Sequence, residues 1–72
     1  MTRVLFVEGK DEAALRSFAL GLALPWRLLA RPEQGLFLLE VAHPNQETER
    51  AVAALPNVRA WTFDVVGEHP GG

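Results

Sequence analysis

The sequence predicts a small α+β domain in which strands and helices follow one another in the order β-α-β-β-α-β. Two observations lead to this prediction. Four short segments are continuously apolar or alternate between apolar and polar residues, which is typical of strands, and two segments between them repeat apolar residues at helical spacing. The turn Pro32–Gly35 joins the two middle strands, and so short a connection makes them antiparallel neighbours. With 72 residues, we expect a single domain spanning residues 1–72.

The first strand and first helix are predicted from the segment that ends at Pro25. The run Arg3–Glu8 is apolar between charged ends, and its β-branched content favours a buried central strand. Asp11 is a natural N-cap, because its carboxylate can accept the free backbone N–H groups of a helix start. Pro25 is expected to end this helix, since proline lacks the N–H that a continuing helix uses. The predicted apolar stripe consists of Leu15, Phe18, Ala19 and Leu22.

The middle of the chain predicts a β-hairpin. Trp26–Arg31 alternates, so that Trp26, Leu28 and Ala30 share one face. In the turn Pro32–Gly35, proline fixes φ early and glycine can adopt a positive φ late. Leu36–Ala42 follows as the third strand.

The last part of the chain predicts a second helix and a final strand. Asn45 is the expected N-cap, and Pro56-Asn57 is expected to end the helix. Val58–Val66 is the predicted fourth strand, and Gly67–Gly72 is expected to be a flexible tail. The apolar stripe of this helix consists of Thr48, Ala51, Val52 and Leu55.

Right-handed crossovers through the two helices place both on one face of a four-stranded antiparallel sheet, which is the ferredoxin-like arrangement. The other face should be polar in a monomer. In the third strand, however, Phe37, Leu39 and Val41 alternate with Leu36, Leu38 and Ala42, and Glu40 is its one charged residue. In the fourth strand, Trp61, Phe63 and Val65 alternate with Val58, Ala60 and Val66. Whichever set of each strand faces the helices, the other set is also largely apolar and lies on the uncovered face of the sheet.

An uncovered apolar face predicts a homodimer or a higher homo-oligomer. A chain of this size buries only about 60% of its unfolded surface, and small folds compensate with disulfides, metals or self-association. There is no cysteine, which removes disulfides and thiolate metal sites. The alternative is that two short helices simply leave some apolar surface exposed.

A recurring order of short motifs resembles a known group of proteins. It runs through Trp26-Arg27, then Gly35-Leu36-Phe37 opening a strand that ends in Glu40-Val41, then Leu55-Pro56, Phe63-Asp64-Val65 and His69-Pro70. Over residues 26–70 this order is similar to the muconolactone isomerase-like and YciI-like members of the dimeric α+β barrel group. The resemblance implies a homodimer with its sheets packed face to face and a small-molecule cleft between them. The first strand departs from the isomerases, which carry a histidine there.

Two residues are candidates for catalysis, Glu40 and His69. A carboxylate desolvated in an apolar strand becomes a stronger base, which suits proton abstraction next to a carbonyl. The structural alternative for Glu40 is an edge-strand charge that discourages aggregation. His69 lies in the tail and would act only if the tail folds over a cleft. The sequence leaves open whether the chain is an isomerase- or lyase-like enzyme for a small acid or a non-catalytic interaction domain of the same fold.

Four further residues, Arg27, Arg31, Trp61 and Asp64, are candidates for ligand binding. Arginines can hold an anion. For Asp64, a structural ion pair with Arg27, Arg31 or Arg59 is the alternative. We expect neither a metal nor another cofactor, because the chain offers only two histidines and no cysteine. His43 precedes a proline and is expected to be an exposed turn residue.

Charge and composition argue against several other classes of protein. The net charge of −2 argues against a dedicated nucleic-acid binder, although an RNA site on the sheet, with Arg3, Arg27, Arg31 and Arg59 beside Trp61 and Phe63, is a further hypothesis. A toprim domain is suggested by Val7–Asp11, but Thr62 stands where its second motif needs an aspartate. Neither a signal peptide nor a membrane span is expected, which fits a cytoplasmic protein.

Overall fold

A computed structural model describes residues 2–65 and confirms the predicted ferredoxin-like α+β fold. All strand neighbours are antiparallel, in the order β2-β3-β1-β4. The parallel sheet of a toprim domain is therefore absent from the described residues. The strands are β1 (Thr2–Gly9), β2 (Trp26–Arg31), β3 (Leu36–Ala42) and β4 (Val58–Val65), and the helices are α1 (Glu12–Leu20) and α2 (Gln46–Ala53).

The predicted end of the fourth strand at Val66 and the predicted flexible tail Gly67–Gly72, including His69, lie outside the described residues. Within residues 2–65, neither helix has the length and apolar character needed to cross a membrane.

The core lies between the helices and one face of the sheet. Alternate residues of the two central strands are buried, because successive side chains of a strand point to opposite faces. Both helices contribute to the same cluster, so both cover the same face. The buried residues are Leu5 and Val7 of β1, Leu39 and Val41 of β3, Leu15 and Ala19 of α1, and Val52 of α2.

Both predicted N-caps are confirmed. The Asp11 carboxylate accepts a hydrogen bond from the backbone N–H of Ala14 at 3.1 Å. The Asn45 side-chain oxygen accepts one from the backbone N–H of Thr48 at 2.8 Å and another from its hydroxyl at 2.9 Å. Because Thr48 is buried, Asn45 both starts α2 and satisfies a polar group in the core.

Both helices end earlier than predicted. Pro25 does not end α1, because the last helical residue is Leu20 and Gly21 is the C-cap. Glycine is unfavourable inside a helix by about 1 kcal/mol relative to alanine, so an end at this position costs little. Leu22 still packs against the core from outside the helix. Likewise α2 ends at Ala53, ahead of Pro56-Asn57.

The α2 stripe was also partly wrong, because Ala51 is exposed whereas Thr48 and Val52 are buried. The hairpin turn matches its prediction more closely. Pro32–Gln34 form one turn of 3-10 helix, and Gly35 follows with a φ of 65°, the left-handed conformation that glycine adopts without strain.

Candidate functional site

The sheet has one face that no described element covers, and we call it the open face. It carries the residues of each strand that alternate with those facing the helices. Most of its side chains are apolar, as predicted. They are Thr2, Val4, Phe6 and Glu8 on β1; Arg27, Leu29 and Arg31 on β2; Leu36, Leu38, Glu40 and Ala42 on β3; and Arg59, Trp61, Phe63 and Val65 on β4.

An aromatic cluster lies on the open face where β1 meets the edge strand β4. The rings of Phe6 and Trp61 are stacked at 5.8 Å between centroids, and Phe63 meets Phe6 edge-on at 5.6 Å. Phe6 and Trp61 are half-buried, whereas Phe63 is 56% exposed and Val65, beside it on the same face of β4, is 46% exposed. Contiguous exposed apolar surface is a common feature of interaction sites.

Two cross-strand ion pairs flank the centre of the open face. Arg27 Nε donates to Glu40 Oε1 at 2.9 Å, and Arg59 Nη1 lies 4.0 Å from Glu8 Oε1. In both pairs the carboxylate is on a central strand and the arginine is on the adjacent edge strand. The Glu40 and Glu8 side chains are only 22% and 14% exposed, whereas both arginines are largely in solvent. Each carboxylate is thus partly desolvated and has a cationic partner.

Sequence reasoning missed Glu8 as a residue of this face. It interpreted Glu8 as the charged end of a strand and as part of a toprim-like motif. The signal that places it is the two-residue period of the strand: Phe6 and Glu8 must share a face once Phe6 is known to be open.

A small pocket surrounds the Arg27–Glu40 pair. Its volume is about 260 Å³, and Val4, Pro25, Trp26 and Ala42 complete its lining. Pockets for small organic ligands measure about 300–1,000 Å³ and enclose most of their ligand. This pocket alone is therefore too small and shallow for that purpose, and a surface packed over the open face would deepen it.

Asp64 lies on the opposite face of the sheet from the other predicted ligand-binding residues. It pairs with Arg3, whose Nε donates to Asp64 Oδ1 at 3.2 Å. Arg3 also lies 3.7 Å from Glu49 of α2. The predicted pairing of Asp64 with Arg27, Arg31 or Arg59 was wrong, because those arginines are on the open face.

Arg3 lies on the same face as Asp64, which is the face that the helices cover. It is therefore not part of the hypothetical RNA site on the open face. Arg27 and Arg31 lie on β2, and two whole strands separate them from Trp61 and Phe63 on β4. Of the four arginines in that hypothesis, Arg59 alone is beside the aromatic cluster.

The remaining predicted site residues are only partly brought together. Glu40 and Arg27 are in contact, and Arg31 is on the same face of β2. Phe6 of β1 is paired with Glu40 on one side and with Trp61 on the other, so it separates these two residues. His43 is exposed in a loop, as predicted, with a φ of 55° and its backbone N–H donating to the Arg3 carbonyl.

No group of three or more histidine, aspartate or glutamate side chains within residues 2–65 is arranged to hold a metal ion. No protein-family model matches the chain, and no curated protein shows significant similarity to it. The resemblance to the dimeric α+β barrel group therefore stays a prediction.

Proposed function

We propose that this protein binds a small organic acid and functions as a homodimer of the dimeric α+β barrel type, with the open faces of two copies packed together. The main observation in support of the proposal is the apolar open face, on which Phe63 and Val65 are exposed beside the half-buried Phe6 and Trp61. A stable interface of standard size buries about 800 Å² per partner, and the sheet offers one continuous surface for it.

A second copy suits this face because four of its five charged residues, all except Arg31, are paired within one subunit in the described structure. The Arg27–Glu40 and Arg59–Glu8 pairs each combine opposite charges. When two identical faces meet around a two-fold axis, each of these four side chains can therefore keep its oppositely charged partner. Self-association also relieves the marginal stability expected of a 72-residue domain without disulfides.

The ligand class follows from the arginines near the small pocket. Arg27 uses its Nε to hold Glu40, and its other N–H groups remain able to bind a carboxylate. Arg31, four residues further along the chain and on the same face of β2, adds a second positive charge to this face outside the pocket lining. Packing of a partner over the pocket would exclude water and strengthen both interactions.

In an isomerase-like reaction Glu40 would be the base. Its carboxylate would take a proton from the carbon next to the carbonyl of the acid. The C–H electron pair would then form an enolate, which the Arg27 guanidinium stabilises. Glu40 would then return a proton, which has exchanged with solvent, to a different carbon and complete a double-bond migration, with no other reactant needed.

One observation favours the second candidate function, a non-catalytic interaction domain. Glu40 Oε1 already accepts a hydrogen bond from Arg27 Nε at 2.9 Å, so this oxygen is occupied by a partner within the subunit. In that case the Arg27–Glu40 pair is an element of the interface itself.

The dimer is tested by the mass of the protein in solution. We expect light scattering at micromolar concentration to give twice the subunit mass of 7.9 kDa. A subunit mass at every concentration up to the millimolar range would overturn the proposal.

The ligand site is tested with benzoate as a non-reactive acid. We expect Arg27→Gln to weaken benzoate binding by about tenfold or more, since hydrogen bonds to charged groups contribute about 1.5–3 kcal/mol. The matched control is Arg16→Gln, which removes a similar ion pair with Glu12 on the surface of α1. Calorimetric titration measures both, and equal loss in the two variants would contradict the assignment.

The catalytic role of Glu40 is tested with vinylacetate, a β,γ-unsaturated acid, in deuterated water. The isomerase-like function predicts that the wild type incorporates deuterium and that Glu40→Gln does not. If the wild type forms dimers but neither binds benzoate nor exchanges protons, the interaction domain is the correct function.

A further inference from the structure

The sheet ends in two edge strands, β2 and β4, whose outer backbone groups have no partner within residues 2–65. We propose that β4 pairs edge to edge with β4 of a second copy, in antiparallel orientation, so that two four-stranded sheets become one sheet of eight strands. This interface is distinct from the packing of two open faces, which buries side chains and gives a strand edge no hydrogen-bond partner. Where both interfaces form, four copies assemble.

The register of the sheet fixes which backbone groups of β4 point outward. The His43 N–H donates to the Arg3 carbonyl, so the odd-numbered residues of β1 bond to β3 and the even-numbered ones bond to β4. Even-numbered residues of β1 lie opposite odd-numbered residues of β4, which therefore bond back to β1. The N–H and C=O groups of Ala60, Thr62 and Asp64 must then point to the free edge.

This edge is accessible from the helix side of the sheet as well. Ala60 and Thr62 belong to the face that packs against the helices, yet both are exposed, so neither helix covers this part of β4. Their side chains are also small. A second strand can therefore approach the outer backbone groups of β4 without a clash with α1 or α2.

The two edges differ in the features that oppose pairing. β2 has six residues, lies between Pro25 and Pro32, and carries two exposed arginines, Arg27 and Arg31. Charges and prolines are the usual means by which proteins keep an edge strand from pairing. β4 has eight residues, and its central segment Ala60–Phe63 contains no charge and no proline. The edge without such protection is therefore β4.

The charges at the two ends of β4 favour a second copy in antiparallel orientation. Arg59 is near the start of the strand and Asp64 is near its end. In a parallel pair each of them would lie beside its own copy on the same face, and adjacent like charges are destabilising. In an antiparallel pair the two copies of each charge lie toward opposite ends of the interface.

A pair formed in this way is closed. Its two-fold axis is perpendicular to the sheet, so the two open faces lie on the same side and their aromatic clusters become neighbours. Both outer edges of the combined sheet are β2, whose prolines and arginines oppose further addition. Contact along one strand edge buries less surface than a standard interface, so the pair should form at higher concentration than the open-face dimer.

Amide hydrogen exchange of the wild-type protein tests the pairing residue by residue. As the protein concentration rises, exchange of the Ala60, Thr62 and Asp64 N–H groups should slow several-fold, while light scattering shows the mass rising from two subunits to four. If the open-face dimer does not form, the same amides become protected as the mass rises from one subunit to two. Fast exchange of these amides at every concentration would overturn the proposal, and so would protection that is independent of concentration, because the edge would then be covered within one subunit.

A proline variant separates this interface from the open face. Since the Thr62 N–H points outward, Thr62→Pro removes a donor from the edge and no hydrogen bond within the subunit. The dissociation constant of edge pairing should rise by about tenfold or more, because both copies lose a bond. The control is Ala30→Pro on β2. The Ala42 N–H donates to the Pro25 carbonyl, which places the Ala30 N–H on the outer edge of β2, so this variant should keep the wild-type mass.

A lysine variant repeats the test without a change in the backbone. Thr62→Lys places a charge at the unprotected edge, on the side of the sheet away from the open face, and should also weaken edge pairing. Ala30→Lys is its control on β2. Circular dichroism shows that each variant is folded, and the wild-type mass in both Thr62 variants would contradict the inference.

Discussion

In the proposed dimer, Phe63→Asp is expected to separate the two subunits without unfolding either of them. Phe63 is 56% exposed on an edge strand, and its described aromatic contact is with Phe6, so the folded subunit loses about 0.5–1.5 kcal/mol with it. In the paired sheets, the same change places an unpaired carboxylate in an apolar interface. Loss of an aromatic side chain that contributes strongly to an interface costs about 2 kcal/mol or more, so the dissociation constant should rise by at least about thirtyfold.

Light scattering gives the mass of the variant, and thermal unfolding followed by circular dichroism shows that the subunit is folded. The matched control is Leu20→Asp, because Leu20 is 69% exposed at the end of α1 and lies away from the open face. Loss of the dimer in both variants would show that any added charge dissociates it, and retention of the dimer in Phe63→Asp would place the interface elsewhere. Aspartate in place of Leu38 or Trp61 should act like Phe63→Asp, since both share this face.

The local elements of the fold could be predicted because their signals are local. The boundaries of β2 and β3 follow from alternation and from the turn residues, and the N-caps Asp11 and Asn45 follow from side chains that bind the first helical turn. Each of these features depends on residues a few positions apart. A single sequence contains all the information needed for them.

The arrangement of the faces could not be predicted in the same way. Arg3 and Asp64 pair across 61 positions of sequence, because β1 and β4 are antiparallel neighbours in one particular register. A shift of that register by one residue would move Asp64 to the open face and Phe63 to the core side. Alternation reveals two sets of residues in each strand, but the packing of the helices decides which set becomes the open face.

The site shows the same division between local and long-range information. The type of residue at Glu40 suggested a base in an apolar strand, and the strand was correctly identified. Its partner Arg27 emerges only from cross-strand register, and the second carboxylate Glu8 joins the face only once the packing of the helices shows which side of β1 is open. The functional hypothesis therefore changes from a single carboxylate to two matched ion pairs on a surface suited to self-association.

Leu39→Ala should bring the protein close to complete unfolding. Leu39 is fully buried on β3, between Val7 of β1 and Leu28 of β2. Removal of a buried leucine side chain costs about 2–5 kcal/mol, because the lost burial is joined by the cavity left behind. A core in a domain of this size rarely supplies more than about 3–5 kcal/mol, so this one change is comparable to the entire stability of the subunit.

Urea unfolding measures the effect, and Leu20→Ala on the exposed side of α1 is the control, with an expected change within about 0.5 kcal/mol. A loss below about 1 kcal/mol in Leu39→Ala would show that the core is not packed as described.

The same experiment connects the core to assembly. If folding and pairing of the open faces are coupled, the unfolding midpoint of Leu39→Ala should rise with protein concentration, because dimer formation draws the equilibrium toward the folded state. In the Phe63→Asp background that dependence should disappear, since the folded subunit then has no partner to stabilise it.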